Sequence, residues 1–292
     1  MFPLFSGPAI TVPVDWLAVG HIDEVCCFVD DRTVLVPSPR LAFDLIAEQV
    51  RLHHGNYTNT FVWGDEPTNY IHRMQDVLFL PYRTTDVLQS GISSETTTVL
   101  FPADNDVSGK FIFCETEILK VLGTNQSGSN LVGIVSRGEF GTEPQPHVSG
   151  SPFFVLTSTA QQNIDTAEGK IISLIHDIRS IPSVAVPGIR FQPCPVLYVE
   201  TDSMFVAGSV DLVNSLVAGS LVYMPDPGCD LFRNAVLLPG KRFIGGPNTW
   251  EFYHCLMGEL HCGSEAERVL PHERPFWKEF RGWPYERKEI SP

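Results

Sequence analysis

Short apolar runs separated by clusters of Gly, Pro, Ser, Thr and Asn dominate this chain, and stripes at helical spacing are few. Ile10–Val19, Val25–Val29 and Thr33–Val36 read as strands, with a turn at Asp30-Asp31 between the last two. A helix is expected directly afterwards. Ser38 suits the N-cap, Pro39 suits the first helical position, and Ala42, Ile46 and Val50, flanked by Leu41 and Leu45, recur on one face. The opening of the chain is therefore a β-β-α unit.

From about residue 55 to residue 169 the pattern changes, and dense Thr, Ser, Asn and Gly punctuate apolar runs such as Thr98–Phe101 and Lys110–Cys114. This stretch reads as a largely β insertion or an elaborated loop region. Order returns at Val196–Val199, and Val210–Pro225 is a strand–turn–strand pattern broken at Ala218-Gly219. A helix around Thr249–Met257 is expected to lead into Glu259–Cys262, read as a strand that delivers Cys262 to its end. No helical or solenoid repeat of fixed period is visible, whereas repeated β-β-α-β units fit the order of elements.

Composition narrows the function classes. The 292 residues are 43% hydrophobic and 18% charged, enough for one large core or two small ones and unlike a disordered chain. Twenty basic against 34 acidic residues give a net charge of −14. That balance disfavours nonspecific nucleic-acid binding and attracts cationic partners such as arginine-rich segments. The seven cysteines include the adjacent Cys26-Cys27 but no CxxC spacing, so neither a zinc motif nor a disulfide framework is indicated, and a reducing compartment is expected. No apolar run is long enough for a signal peptide or a membrane span, so the expectation is a soluble cytoplasmic protein that binds no membrane.

Two short motifs carry the candidate chemistry: Gly20-His21-Ile22-Asp23-Glu24 near the start and Leu260-His261-Cys262-Gly263 near the end. If residues 19–24 are extended, His21 and Asp23 project to one face. A thiol brought there from Cys262 would complete a Cys/His/Asp set of the kind nucleophilic catalysis requires, assembled from remote parts of the chain. Attack on a guanidinium, which is planar, cationic and a poor electrophile, needs carboxylates to hold its N–H groups and a thiolate to add to its carbon. An imidazole then protonates departing ammonia and activates water. Taken singly, a His-x-Asp pair is common on strands and loops, and a lone Cys is more often a small buried hydrophobe.

In combination the motifs resemble a known family. Asp15 to Glu24 resembles the segment bearing the catalytic histidine and second aspartate of protein-arginine deiminases; Val36 to Arg40, with the helix through Gln49, resembles the next segment of that family. Val210 to Val217, Met224 to Pro227, Phe252 to His254 and Gly258 to Gly263 are similar to its closing and nucleophile strands, in the family's order, and Pro275 to Phe280 fits its tail. The likeness covers about residues 8–52 and 175–282. It implies an α/β pentein-type propeller of β-β-α-β units, incomplete and carrying the β-rich insertion at 55–169, with residues 1–292 forming a single C-terminal catalytic domain. It further implies calcium-dependent conversion of peptidyl-arginine to peptidyl-citrulline, with Cys262 as nucleophile, His21 as general acid/base, Asp23 as guanidinium clamp, Ca2+ as cofactor and an arginine-containing protein or peptide as partner.

The family's first catalytic aspartate, its neighbouring tryptophan and most calcium ligands lie ahead of the His-x-Asp motif, whereas only 20 residues precede His21. The chain thus looks like the C-terminal part of such a domain, a gene fragment or a reduced relative. Arg73-Met74-Gln75-Asp76 resembles the run carrying that missing aspartate, which makes Asp76 a candidate substitute clamp although it follows His21. Leu256 stands where the family tends to carry an arginine. His53-His54 read as a helix C-terminal cap; Asp202, Asp211, Asp226 and Asp230 lack the spacing of a calcium loop; Trp250, Phe252 and Tyr253 read as packing residues. The alternatives are a catalytically inert pentein fragment that binds a partner, and a deiminase of a small guanidine such as arginine or agmatine. A papain-like protease fits less well, since there the Cys precedes the His.

Overall fold

The computed structural model describes residues 12–30, 32–52, 78–80, 83, 85–180, 188–227, 230–236, 238–245 and 259–262. Their architecture is mixed α/β, with several separate sheets and few helices, and without a closed barrel. Among these residues no helix is long and apolar enough to cross a membrane. The expected helix at Thr249–Met257, Asp76, His53-His54, Leu256 and the aromatic residues at 250–253 lie outside the described residues.

Two stretches share one topology. Strands β1 (Cys27–Phe28) and β2 (Thr33–Ser38) form an antiparallel hairpin, helix α1 (Pro39–Leu52) follows, and β8 (Arg190–Pro195) lies parallel to β2. Later in the chain β11 (Leu216–Ala218) and β12 (Leu221–Met224) form a second hairpin around Gly219, whose φ of +63° suits glycine. Helix α4 (Asp230–Ala235) follows, and β13 (Arg242–Gly245) lies parallel to β12. Each is a β-β-α-β unit with its hairpin antiparallel and its crossover parallel. A third hairpin, β9 (Tyr198–Thr201) with β10 (Met204–Ala207), takes its parallel neighbour from the start of the chain, where Leu17 bridges Phe205.

Helix α1 forms as its periodicity dictates. Ser38 Oγ accepts the Leu41 amide at 3.1 Å, Pro39 loses no hydrogen bond at the first turn, and Ala42, Phe43, Ile46, Ala47 and Val50 are buried against β2 and β8. The segment expected as a strand over 10–19 is instead irregular from Val12 onward apart from the Leu17 bridge, and the strand expected over 25–29 shrinks to Cys27–Phe28.

Residues 98–155 form a five-stranded antiparallel sheet in the order β3 (Thr98–Pro102), β6 (Asn130–Ser136), β5 (Glu117–Ser127), β4 (Phe111–Cys114), β7 (Phe153–Val155). Alternation along these strands gives the sheet two apolar faces. Ile112, Cys114, Leu119 and Phe153 face a local core with Val99 and Phe101, whereas Phe113, Ile118 and Phe154 join the main core. There Phe113 and Phe79 pack on Phe43 of α1 with ring centroids 5.9 and 5.8 Å apart. The following residues, of which those up to 169 were expected to belong to a largely β insertion or elaborated loop region, are helical: α2 (Ser158–Gln162), a π-helical turn at Asn163–Ala167 and α3 (Glu168–Ser180) run on continuously.

Candidate active site

The His21 segment is positioned by aromatic packing beneath it. Trp16 packs edge-on against Tyr198 and Phe205 at centroid distances of 5.5 and 5.9 Å, and Ala18 and Phe205 donate backbone bonds across the Leu17 bridge. Tyr198 is fully buried and donates its hydroxyl to the Glu24 carbonyl at 3.2 Å. Gly20 then adopts φ +74°, and Ile22–Glu24 turn into a 3-10 helix. This corrects the extended reading of 19–24: the Glu24 carboxylate accepts the His21 backbone N–H at 2.8 Å and closes a turn. His21 and Asp23 still reach a common point, through helical rather than strand geometry.

Cys262 arrives from the other end of the chain, 239 positions from Asp23. Residues 260–262 form a turn, not the expected strand end. The coordinating atoms of His21, Asp23 and Cys262 all lie within 4.8 Å of one another. Cys262 Sγ stands 3.7 Å from Asp23 Oδ2, and both His21 and Cys262 are exposed while Asp23 is half-buried. Asp76 lies outside the described residues, so its place relative to this group is not part of the geometry.

Asn214, itself buried, ties the group together. Its Nδ2 donates to Asp23 Oδ2 at 3.1 Å and to Cys262 Sγ at 3.2 Å. Its Oδ1 accepts the backbone N–H groups of His261 at 2.8 Å and Cys262 at 3.2 Å. The His261 ring adds a contact of 2.8 Å from Nδ1 to Asp23 Oδ2. Neither the role of Asn214 nor that of His261 was read from the sequence. Their only signals there are that Asn214 sits in a segment resembling the family's closing strands and that His261 adjoins Cys262.

Electrostatics around the thiol are acidic. Burial pushes the Cys262 thiol above its ordinary value; the Glu259 backbone and the Asn214 amide pull it down, and the charge of Asp23 raises it again. Beneath the cluster, Asp211 is buried and raised well above the carboxylate range, first by burial and then by the charge of Glu259. Its Oδ1 accepts the Val213 amide at 2.9 Å, while its backbone N–H donates to Glu259 Oε1 at 3.2 Å. Cys26 and Cys27 are half-buried, and burial raises their thiols to about 12 and about 11. They are poor nucleophiles at neutral pH.

The donors that converge fit some cations and not others. Calcium takes six to eight hard oxygen ligands, whereas the cluster found among the described residues offers one nitrogen, one carboxylate and one sulfur. Asp202, Asp211, Asp226 and Asp230 are dispersed: Asp202 turns the β9–β10 hairpin, Asp211 is buried, Asp226 pairs with Arg233 at 2.7 Å and Asp230 opens α4. No step of the chemistry is therefore routed through calcium. Comparison with family models and with curated proteins finds no match to the chain.

Proposed function

We propose that the chain is a protein-arginine deiminase whose chemistry is centred on Cys262. The observation that carries this reading is the meeting of a thiol, an imidazole and a carboxylate within 4.8 Å from opposite ends of the sequence. The twice-repeated β-β-α-β unit supports placing the site in an incomplete pentein-type propeller. In this mechanism Asp23 holds the substrate guanidinium by its N–H groups, the Cys262 S–H bond breaks with its proton passing to His21, and Sγ forms a bond to the guanidinium carbon. The C–N bond breaks, and His21 gives the departing nitrogen a proton so that it leaves as ammonia. His21 then takes a proton from water, whose oxygen attacks the thiouronium carbon; the C–S bond breaks and citrulline is released. The guanidinium's own positive charge, arriving beside Asp23, favours the thiolate that the acidic surroundings otherwise disfavour.

The test measures citrulline and ammonia together, from an arginine-containing peptide and from free arginine or agmatine, each with and without calcium. Equal release of both products from the peptide by the native chain, and none by Cys262→Ser, is the expected result. Activity surviving that substitution removes the nucleophile assignment, and turnover confined to free arginine or agmatine makes the enzyme a small-guanidine deiminase. One observation favours a second reading, an inert module that binds arginine-bearing partners. Asp23 Oδ2 already accepts from Asn214 and His261, leaving Asp23 as the one carboxylate in the cluster found at the thiol among the described residues. Peptide binding without turnover under either condition would establish it.

A further inference from the structure

We propose that His21, Asp23 and Cys262 form a site for one zinc-like divalent cation, and that filling it takes the thiol out of reach of a guanidine. Donor identity decides the class of ion. A thiolate, an imidazole and a carboxylate suit borderline-soft metals that accept four ligands, and the Cys–His–Asp combination falls within the ligand repertoire of zinc. Bonds of about 2.0–2.3 Å in a tetrahedron set such donors roughly 3.5 Å apart. They lie within 4.8 Å of one another here, and His21 and Cys262 are exposed side chains free to adjust.

The surroundings already hold the site in shape. Asp23 Oδ2 is oriented by the Asn214 amide at 3.1 Å and by His261 Nδ1 at 2.8 Å, and the Cys262 backbone is pinned by Asn214 Oδ1 at 3.2 Å. Such outer bonds orient ligating groups and strengthen metal sites. Charge points the same way, because a thiolate beside Asp23 places two anions together, and a divalent cation between them neutralises both. When the metal binds, the S–H bond breaks, the sulfur–metal bond forms and the proton passes to solvent, with water completing the fourth position. No metal-motif spacing in the chain could announce this site, because Cys262 stands 239 positions from Asp23. Binding itself needs only the cluster. Its consequence, occlusion of the nucleophile, rests on the deiminase reading above.

The experiment titrates the full chain with cobalt(II), which reports thiolate ligation by a near-ultraviolet charge-transfer band, and then displaces it with zinc. One equivalent is expected to saturate the band, zinc to abolish it, Cys262→Ala to remove it and His21→Ala to weaken binding about tenfold or more. Circular dichroism of each variant checks folding, and the native titration needs no variant. A native chain that shows no band at one equivalent overturns the proposal, as does a band that persists in folded Cys262→Ala. Citrulline release is assayed separately. Cobalt binding without turnover keeps the metal site and removes the enzyme, whereas turnover unaffected by a saturating equivalent of zinc removes the occlusion.

Discussion

A side-chain amide offers two N–H donors and a carbonyl oxygen with two lone pairs, and Asn214 uses both ends twice. One end holds Asp23 and the Cys262 sulfur, the other the backbone of residues 261 and 262. Replacing it with alanine is expected to lower kcat for citrulline formation about 10²–10³-fold, the usual cost of losing a preorganised donor. Because Asn214 lies under the site, KM is expected to change much less, and alkylation of Cys262 by iodoacetamide to slow in parallel. A proportional rise in KM with kcat preserved would show that Asn214 serves substrate binding alone. His21, Asp23 and Cys262 were legible because each stands in a short motif whose residue types have a limited range of chemistry. Asn214 and His261 were not, since an amide or a ring becomes a positioning group only through the partners that tertiary structure supplies. The mode of convergence was also hidden: a positive φ at Gly20 and a carboxylate folded back onto the His21 amide are turn chemistry that side-chain alternation does not report.

At the scale of elements, the N-terminus of α1 shows how neighbouring segments share a cap. Ser38 Oγ accepts the Leu41 amide, and Glu168, the first residue of α3, accepts the Arg40 amide at 2.9 Å and lies 3.4 Å from the Ser38 hydroxyl. Ser38→Ala is expected to lower stability by about 1 kcal/mol, read as a shift in urea midpoint with unchanged slope, because one capping bond is lost while Glu168 retains another. An unchanged midpoint would mean that Glu168 alone suffices. Helix α1 was readable from its stripe and its cap together. The α2–α3 run was not, although Ile164, Ala167, Ile171, Leu174 and Ile178 are buried at alternating spacings of three and four. Gln161, Gln162 and Asn163 ahead of them, and Thr166 and Gly169 among them, resemble loop composition, and local composition outweighed a period that only burial makes plain. The turn at Gly219 and the apolar runs that become β3 and β4 were legible because turn residues bound them on both sides, whereas the first arm read from Val210 is a strand only over Leu216–Ala218.

At the scale of the whole molecule, with its net charge of −14, opposite charges meet out of water around Glu117 among the described residues. Arg137 donates to both carboxylate oxygens of Glu117 at 2.7 Å; His147 places Nε2 at 2.9 Å from Glu117 and Nδ1 at 2.8 Å from Glu115, whose other oxygen accepts from Ser151. Glu117 and the His147 side chain are fully buried, and Cys114 beside them is a buried neutral thiol. Burial opposes ionisation of Glu117, yet Arg137, His147 and the backbone N–H groups of Gln145 and Gly138 prevail and hold it at about 2. Burial likewise opposes a charged His147, and the two carboxylates prevail and raise it. The cluster ties the β4–β5 turn to the segments carrying Arg137 and His147, and with His147 protonated its two cations match its two carboxylates. Its pH dependence has two edges. The contribution of Glu117 is complete above its unfolded value near 4.5 and is lost as pH falls toward about 2. The contribution of His147 is complete below its unfolded value, about 6.5, and is lost as pH rises through its higher folded value. The stability advantage of the native chain over His147→Gln, measured by urea unfolding across pH, should thus be greatest below about 6.5 and shrink in alkali. Arg137→Met, which strands Glu117 without its main partner, should cost about 3 kcal/mol near neutrality. An advantage over His147→Gln that stays level from pH 6 to pH 9 would show that His147 is held as a neutral ring, and that Arg137 alone balances the two glutamates.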